Sequence, residues 1–554
     1  MKDFSREIWA YALRNAIDFG KVDAGKILPK LFQHGLDKKD IRKIMPEIQK
    51  IAGEVNKLSA GEREKEFEKY GEFVKEKEEK EEGLPELEEA VEGKVVTRLA
   101  PEPSKYNHIG HALVFLIQYL YAKKYKGKCI LRFDDTNPEK SALEYYRSMK
   151  EDLAWLGIKW DMEILASNDM ARMYKLAEKL INQGDAFVCS CAQEDMKELR
   201  DKMKACKCRK NSKEDNLGEW KLMLSGKFKE GDRILRLKGD MKSKNGVMRD
   251  PVIFRISYSS HFIQKDKYCV WPMYDFESSV KDSLDGITHV IRSKEFELRA
   301  ELHANIVKLL GMKPPIIREI GRYQITGAET QGRVIREMIE KGEIKGWDDP
   351  RLVTVKALRR RGFVPEMFQE LAQTVGLSKS SGRIDPTVLA ATNRKIIDQR
   401  AARYSFIADP VELEITGTPA MKEIEVLLHP DKDEKRKVKI GHEFFISKED
   451  FENLKGKEIR LLHLYNIKLG SKVVKGKVKC EFTSSDVKDI PKINWVSFGV
   501  KARVFMPDGK WVSGVVDEGV WDLKPGAIIQ FERFGFVRFD GIHNHLYEFW
   551  FAHK

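Results

Sequence analysis

A strand, a loop, a helix and a second strand follow one another between residues 95 and 133, and this order restricts the fold more than any other part of the sequence. The first strand-like run covers Val95–Ala100 and is broken by two prolines. An apolar helix follows over Ala112–Tyr121, and a second apolar run covers Cys129–Phe133. This order predicts the opening of a parallel α/β sheet.

The sequence is also long enough for several domains. With 554 residues, it exceeds what one hydrophobic core organises. Residues 1–60 carry helical periodicity, with apolar side chains at Ile8, Ala12, Leu13 and Ala16. Residues 62–82 are mostly Glu and Lys, which predicts a solvated helix or linker and a domain boundary near residue 92. We expect this N-terminal part to be a structural helical module.

After about residue 405 the pattern changes to short alternating runs separated by glycine and proline. Val411–Ile415 is one such run, and Ala502–Met506 is another, closed by Pro507–Gly509. Alternation with period two and frequent turn residues is typical of β-barrels.

Composition excludes some classes of protein. No apolar run approaches the roughly 20 residues of a membrane span, and the first residues do not resemble a secretory signal. Seven cysteines, four of them clustered, do not form a secreted disulfide framework. We therefore expect a cytoplasmic protein. The net charge of +13 allows a polyanionic partner, although many basic proteins bind no nucleic acid.

The loop after the first strand reads APEPSKYNHIGH from Ala100 to His111. A helix that starts there offers unpaired backbone N–H groups and its dipole to an anion. His108 and His111 can donate to phosphate oxygens, and Gly110 allows an adenine ring to approach the backbone. The H-x-G-H tetrapeptide alone is weak evidence, but its position between a strand and a helix makes a nucleotide site the expected function.

The segment from Arg98 to His111 resembles the HIGH region of class I aminoacyl-tRNA synthetases, in the version shared by glutamyl and glutaminyl enzymes. The resemblance is collinear to the C-terminus and continues in the following segments: Leu131–Pro138, Trp271–Phe276, Gly286–Arg292, Gly346–Arg351, Arg359–Gly362 and Gln530–Arg538. Bacterial glutamyl enzymes have a helical anticodon domain, so the C-terminal β pattern resembles the archaeal or eukaryotic lineage.

The resemblance implies a multidomain fold. Its parts are an N-terminal helical domain with a charged linker (1–92), a Rossmann-like α/β catalytic domain (93–340) with an acceptor-stem insertion (about 187–262), a helical stem-contact domain (341–402) and two β-barrel anticodon-binding domains (403–554). It also implies ATP and Mg²⁺ as reactants, activation of glutamate, and transfer to the 3′-terminal adenosine of tRNA.

The resemblance further implies an amino-acid pocket. Arg98 and Arg292 would hold the substrate side chain, while Asp134 and Tyr274 would bind the α-amino group and backbone end. Glutaminyl enzymes carry a small neutral residue where Arg292 stands, and a guanidinium suits a free carboxylate because it forms two parallel hydrogen bonds. We therefore expect glutamate as the substrate. The alternative is that Arg292 pairs with Glu295 or another carboxylate.

The implied ATP-binding residues lie in the HIGH loop and after the sheet: Glu102, Pro103, Ser104, His108, Gly110, His111 and Arg322. Class I enzymes also use a KMSKS loop, whose lysine stabilises the departing pyrophosphate. The corresponding segment here is Glu329–Val334, in which Gln331 and Gly332 replace the usual Ser-Lys. Arg333 is then the nearest cation, and we expect it to act with His108 and His111. The alternatives are a lysine from elsewhere or weak activation.

Leu377–Ser380 looks like a KMSKS motif, but we interpret it as a decoy. It follows the Asp348–Arg351 motif, which the family's loop precedes, and we expect it in a helical region beyond the catalytic sheet.

Two C-x-C pairs lie inside the expected acceptor-stem insertion. Cys189, Cys191, Cys206 and Cys208 could together hold a structural zinc ion, because four thiolates satisfy its tetrahedral geometry. The alternative is paired or free thiols.

A basic helical stretch covers residues 341–402. Its arginines are suited to phosphate contacts, and we expect Asp349, Arg351 and Arg360 to bind tRNA, although each could equally belong to a solvated basic face. The expected partner is tRNA for glutamate. The resemblance also allows tRNA for glutamine, which would require a partner amidotransferase, and we expect a monomer.

Two rival functions remain at this point. One is a glutaminyl-tRNA synthetase, against which Arg292 is the main argument. The other is a tRNA-binding paralogue with weakened activation, which the replacement at Gln331 and Gly332 suggests.

Overall fold

The computed structural model describes residues 3–37, 40–74 and 84–554. Internal contacts divide the chain into two compact units, Met1–Glu82 and Gly83–Lys554. No helix in the described ranges is long and apolar enough to cross a membrane.

The first unit is helical in its described residues, with these bounds: α1 Ser5–Phe19, α2 Ala24–Leu31, α3 Ile41–Lys57 and α4 Ala60–Tyr70. The predicted periodicity is confirmed, since the four apolar side chains on α1 are all buried. Glu62 accepts a hydrogen bond from the Ser59 backbone N–H at 2.8 Å, which caps the start of α4. The predicted charged segment is helical over its first part, and residues 75–82 of it lie outside the described residues.

The second unit opens with a parallel sheet in the order β1-β2-β3. The elements have these bounds: β1 Val96–Leu99, α5 Ile109–Lys124, β2 Lys128–Phe133, α6 Leu143–Trp155, β3 Met162–Leu165 and α7 Met170–Gln183. The predicted strand, helix and strand are confirmed. The middle strand β2 is buried at every residue except its first, as expected for a strand covered on both faces of a parallel sheet.

An antiparallel sheet follows, in the order β4-β5-β6-β7. Its elements are β4 Ala186–Cys189, α8 Gln193–Asp201, α9 Lys213–Leu224, β5 Ile234–Leu237, β6 Val252–Ile256 and β7 Val270–Pro272. Trp220 of α9 packs against Phe254 of β6 with ring centroids 5.2 Å apart, and both rings are fully buried. The segment predicted as an insertion thus packs into a hydrophobic core that it shares with α7 and with later residues such as Phe276 and Leu302.

The chain then returns to parallel strands. The elements are α10 Tyr274–Leu284, β8 His289–Ser293, α11 Glu297–Leu309 and β9 Ile316–Ile320, and β8 pairs with β9 in parallel. Just before β8, the Thr288 backbone N–H donates to the Val96 carbonyl at 3.0 Å, which places β8 beside β1. The carboxyl ends of β1, β2 and β8 therefore meet at one edge, where α/β sheets bind ligands.

A mainly helical segment connects the sheet to the C-terminal part. Its elements are β10 Tyr323–Ile325, α12 Gly332–Glu340, α13 Val355–Arg361, α14 Pro365–Val375, β11 Gly382–Ile384 and α15 Pro386–Ile397. The short strands β10 and β11 pair in parallel.

The C-terminal part consists mainly of two barrel-like seven-stranded sheets, each with its own buried apolar core. Its elements have these bounds: β12 Arg403–Tyr404, β13 Phe406–Ala408, β14 Pro410–Thr416, β15 Glu423–Leu427, β16 Lys435–Lys439, β17 Phe444–Ser447, α16 Lys448–Leu454, β18 Glu458–Leu461, β19 Asn466–Lys468, β20 Val473–Val474, β21 Lys477–Ser484, β22 Lys492–Ile493, β23 Gly499–Phe505, β24 Trp511–Asp517, β25 Ile528–Phe531, β26 Gly535–His543 and β27 Leu546–His553.

The order of strands shows how the chain crosses between these sheets. One sheet runs β12-β25-β26-β27-β23-β24-β13, and the other runs β17-β14-β21-β19-β18-β22 with β20 on β21. The strands predicted at Val411–Ile415 and Ala502–Met506 are confirmed as β14 and β23, the latter ending one residue earlier than predicted.

Arginines of α13 join the helical segment to the last strands. Arg360 donates to the Asp540 carboxylate at 2.6 and 3.1 Å, and its guanidinium lies 4.0 Å from the centroid of the Trp550 ring. Arg361 donates to the backbone carbonyls of Phe551 and Ala552 at 3.2 and 2.7 Å. This joint fixes the helical segment against the sheet that contains β26 and β27.

We predict that Arg361→Ala lowers the midpoint of thermal unfolding, because two carbonyls at the joint lose their donor, at a cost of about 1–3 kcal/mol. Melting followed by circular dichroism measures this. The matched control is Arg400→Ala, whose exposed side chain pairs with Glu366 at 3.1 Å, and which should cost about 0.5 kcal/mol or less. Equal midpoints for both variants would contradict the role of Arg361.

Candidate active site

A cavity of about 710 Å³ opens at the carboxyl ends of β1, β2 and β8. Its lining includes these residues predicted from the sequence: Arg98, Glu102, His111, Asp134, Tyr274 and Arg292. Pro103, Ser104, His108 and Gly110 lie in the same loop and helix start as Glu102 and His111. The residues predicted for glutamate and most of those predicted for ATP are therefore brought together.

The Arg98 side chain is fixed by the buried carboxylate of Asp282. Its Nε donates to Asp282 at 3.0 Å, and Arg132 donates to the same oxygen at 2.8 Å. Arg132 also donates to Asp134 at 2.7 Å. All four residues are at most 9 % exposed. The two terminal nitrogens of Arg98 make no hydrogen bond within the described ranges, so they are available to a ligand.

Arg292 is buried without a carboxylate partner in the part of the chain that the structure describes. It is 4 % exposed, its Nη1 donates to His303 Nδ1 at 3.0 Å, and its Nη2 donates to the Phe296 carbonyl at 3.4 Å. Its Nε has no partner in the described ranges. The alternative that Arg292 pairs with Glu295 is therefore wrong, because Glu295 pairs with Arg322 instead.

The His303 ring lies between Arg292 and Asp275, and these two partners fix which ring nitrogen carries the proton. A guanidinium can only donate and a carboxylate can only accept, so Nδ1 accepts from Arg292 while Nε2 donates to Asp275 at 3.2 Å. Burial is the main cause that lowers the pKa of His303. The ring is thus neutral, and it orients the Arg292 guanidinium without cancelling its charge.

Tyr274 and Glu277 complete this end of the cavity from α10. Burial raises the pKa of the Tyr274 phenol, while Arg98 and Arg292 oppose that shift. Burial and the neighbouring Asp134 raise the pKa of Glu277 well above its ordinary value, and its Oε1 has no partner in the described ranges. This shift favours the neutral form of Glu277 beside the arginines.

The two histidines cap α5 with their rings. His108 Nδ1 accepts from the Gly110 N–H at 3.0 Å, and His111 Nδ1 accepts from the His108 N–H at 3.3 Å. The rings stack with centroids 3.8 Å apart. Burial, with Lys105 and Arg322 nearby, lowers the pKa of His108 to about 3, and burial lowers that of His111 well below its ordinary value. Both rings are neutral and carry their proton on Nε2, as donors to an anion.

Close packing within the protein requires a glycine at position 110. A Cβ at this position would lie 2.9 Å from the Tyr323 carbonyl oxygen and from the His108 ring, closer than carbon atoms approach. The start of α5 therefore packs directly on β10. Arg322, which precedes Tyr323, pairs with Glu295 of the cavity lining.

The loop predicted to stabilise pyrophosphate leads into α12. Arg333 lies in the first turn of that helix, where its side chain is 84 % exposed and its Nε is 3.5 Å from Glu337. It is not part of the cavity lining. Its predicted role in catalysis stays a prediction.

The Leu377–Ser380 segment was expected in a helical region beyond the catalytic sheet, and this placement is wrong. The segment forms a loop between α14 and β11, and the Ser378 carbonyl accepts from the Gly321 N–H at 2.7 Å. Lys379 lies 3.7 and 3.8 Å from the carboxylates of Glu297 and Glu319. The short strand β11 draws the segment back beside β10, which the helical pattern around it did not indicate.

The four clustered cysteines converge at the end of β4. Their sulfur atoms all lie within 4.8 Å of one another, and the Cys189–Cys206 and Cys191–Cys208 separations are both 3.8 Å. Arg236 donates to Cys206 Sγ at 3.4 Å. The hydrogen bond from Cys189, with Arg236, lowers the pKa of the Cys206 thiol to about 5. The cluster is a set of free thiols close enough to share one ion.

The residues predicted to contact tRNA make contacts within the chain. Arg351 donates to the Asp349 carboxylate at 2.7 and 2.9 Å. Arg360 donates to Asp348 as well as to Asp540. These pairs lie at the joint with the C-terminal sheets.

Sequence reasoning missed the residues that position the pocket, namely Asp282, Glu277, Arg132 and His303. Arg132 stands two residues before Asp134 in a segment already singled out, and Glu277 and Asp282 lie on the helix that begins at Tyr274. The sequence did contain a signal for these residues, namely charged side chains within an otherwise apolar helix and strand. Such side chains are stable in a buried element only when they are paired, so they could have been predicted to pair with one another.

Comparison with known proteins agrees with this architecture. Residues 94–399 match the family model described as tRNA synthetases class I (E and Q), catalytic domain, and residues 401–484 and 485–540 match its anti-codon binding domains. A glutamate–tRNA ligase from Nitrosopumilus maritimus is 40% identical over 97% of this chain and 98% of its own length. One from Pyrococcus furiosus is 39% identical over 98% of each chain.

Among solved structures, a glutamate tRNA ligase from Elizabethkingia meningosepticum is 18% identical, with a TM-score of 0.41 over 56% of this chain and 70% of that one. The family models and the full-length relatives settle the classification. The chain belongs to the class I tRNA synthetases of the glutamate and glutamine group.

Proposed function

We propose that the chain is a glutamate–tRNA ligase, which activates L-glutamate with ATP and transfers it to the 3′-terminal adenosine of tRNA. The buried Arg292 guanidinium carries this proposal, since a buried charge is stable only when it is paired. No carboxylate of the described residues supplies that partner. The γ-carboxylate of glutamate does, and the free nitrogens of Arg98 give it a second cation.

Glutamine fits the same pocket poorly. Its amide presents two N–H donors, and neither Arg292 nor Arg98 can accept a hydrogen bond. Unmatched donors in a buried site cost a few kcal/mol. The pocket therefore favours glutamate over glutamine.

The first step is an in-line attack of the glutamate α-carboxylate on the α-phosphorus of ATP. Glu102, an exposed carboxylate in the cavity lining, would offer Mg²⁺ an oxygen ligand of the kind it prefers, and the ion would neutralise phosphate charge. His108 and His111 donate through Nε2 to phosphate oxygens at the start of α5. A ribose hydroxyl of tRNA then attacks the acyl-adenylate, so no protein nucleophile is needed.

Catalysis and the contacts with tRNA are assigned to separate domains. We assign residues 93–340 to catalysis with the insertion at 187–262 on the acceptor stem, 341–402 to stem contacts, and 403–554 to the anticodon. Asp349 and Arg351 pair with each other, and Arg360 pairs with Asp348 and Asp540. These residues therefore support tRNA binding by shaping the joint. A monomer is the proposed active form.

The cysteine cluster fits a structural zinc ion. With four sulfurs about 2.3 Å from the metal, tetrahedral geometry separates them by about 3.8 Å, and two of the separations have this value. Zinc would fix β4 and the loops around it, and would take no part in the reaction.

The second candidate acceptor is tRNA for glutamine, whose glutamyl product would need a partner amidotransferase. Charging assays with glutamate on both purified tRNAs distinguish one acceptor from two.

We predict that Arg292→Cys lowers kcat/KM for glutamate activation by at least about tenfold, because the carboxylate loses a bidentate partner. Glutamate-dependent ATP–pyrophosphate exchange, measured with tRNA present, tests this. The matched control is Arg318→Cys on the neighbouring strand β9, where the residue is exposed. Unchanged kinetics in Arg292→Cys would remove the pocket assignment, and exchange supported by glutamine instead would favour the glutaminyl alternative.

We predict one zinc ion per chain in protein purified without chelator, as measured by elemental analysis. Cys208→Ser should lose most of the metal, because three thiolates bind zinc more weakly than four. Cys269→Ser, outside the cluster, should retain it. Wild-type protein without any bound metal would show that the cluster consists of free thiols only.

A further inference from the structure

Gly332 and Lys105 face each other across the mouth of the active-site cavity. A Cβ on Gly332 would lie 3.3 Å from Lys105 Cβ and 3.5 Å from Lys105 Cδ. Gly332 stands in the segment where the family resemblance leads us to expect a lysine, and the stem of Lys105 occupies the space that a side chain there would enter.

The Lys105 ammonium is free to bind an anion. Lys105 lines the cavity, is half-buried, and makes no side-chain hydrogen bond or ion pair within residues 3–37, 40–74 and 84–554. Burial is the main cause that lowers its pKa, and nearby Arg322 adds to that effect. An anion placed against this group would offset the cost of burying its charge.

Four other groups near the phosphate site do not supply this charge, and Arg336 is engaged with the Ser104 carbonyl at 3.2 Å. His108 and His111 are neutral, as their lowered pKa values require. Arg322 is paired with Glu295, and Arg333 is largely exposed beside Glu337. Lys105 acts on both histidines electrostatically, which places its ammonium beside the start of α5.

We propose that Lys105 is a catalytic residue that binds the departing pyrophosphate, in place of the lysine missing at Gly332. This inference rests on the proposed glutamate activation. In that step a glutamate α-carboxylate oxygen bonds to the α-phosphorus, and the bond from that phosphorus to the α,β-bridging oxygen breaks. Pyrophosphate leaves with the electron pair, and the Lys105 ammonium stabilises the charge that develops on it.

The first experiment separates the charge of Lys105 from its stem. Lys105→Met keeps the stem and removes the charge, and it should lower kcat of ATP–pyrophosphate exchange about ten- to a hundredfold. The glutamate KM should barely change, since the contact strengthens as the leaving group forms. Lys105→Arg should retain most of the rate. The control is Lys123→Met, an exposed lysine near the end of α5, the helix that follows the Lys105 loop.

The second experiment exchanges the two residues. Gly332→Lys alone should not raise the rate, because its Cβ would crowd Lys105. The double variant Lys105→Gly/Gly332→Lys should recover exchange to within a few-fold of wild type, since it presents one ammonium from the other side of the same space. A role of Lys105 in packing alone predicts no such recovery.

Full activity of Lys105→Met would overturn the inference, and loss of activity in Arg333→Ala at the same time would assign the role to Arg333.

Titration with inorganic pyrophosphate provides a readout that does not depend on glutamate, and Lys105→Met should bind it at least about tenfold more weakly. A wild-type protein without glutamate-dependent exchange would contradict the proposed function. The pyrophosphate titration would still decide whether Lys105 binds the anion.

Discussion

Asp282 accepts hydrogen bonds from Arg98 on β1 and from Arg132 on β2 while it is itself buried on α10. Each of these charges would be costly to remove from water alone, and removal of one partner would leave the others uncompensated. The three groups therefore hold α10 against the first two strands. They also fix the orientation of Arg98 before a substrate arrives, so the pocket is formed in advance and binding need not order it.

This arrangement leaves positive charge unbalanced where the substrate would sit. Arg132 and Lys281 are matched by carboxylates of Asp134, Asp282 and Asp285. Among the described residues, Arg292 is supported only by a neutral imidazole and a carbonyl. A ligand that brings a carboxylate completes the pairing. Binding and folding are thus linked, since such a ligand stabilises the folded state in proportion to its affinity.

The sequence pattern predicted the first parallel strands well, because a buried strand is a continuous apolar run that can be recognised from its own residues alone. The pocket residues Arg98, Asp134 and Arg292 could be grouped only through the family resemblance, as they lie in or directly after three different strands. Their supports were missed, since contacts such as Arg98–Asp282 join residues far apart in the chain. The four cysteines were grouped correctly from spacing, because two C-x-C pairs in a short segment leave few other arrangements.

The misplacement of Leu377–Ser380 has a similar cause. The strand that repositions it, β11, has three residues and pairs with β10 across a long, mainly helical stretch of chain. A strand this short carries no detectable periodicity, and its pairing depends on tertiary contacts rather than on propensity. Close packing between distant positions, such as that of Lys105 against Gly332, is equally absent from any local pattern.

That last contact constrains how related sequences can change. A chain with lysine at both positions would crowd two stems and two ammonium groups into one space, and a chain with glycine at both would have no cation there. A mutational path between the two single-lysine arrangements must pass through one of these costly intermediates. Positions 105 and 332 are therefore expected to covary during evolution, although they lie 227 positions apart in the sequence.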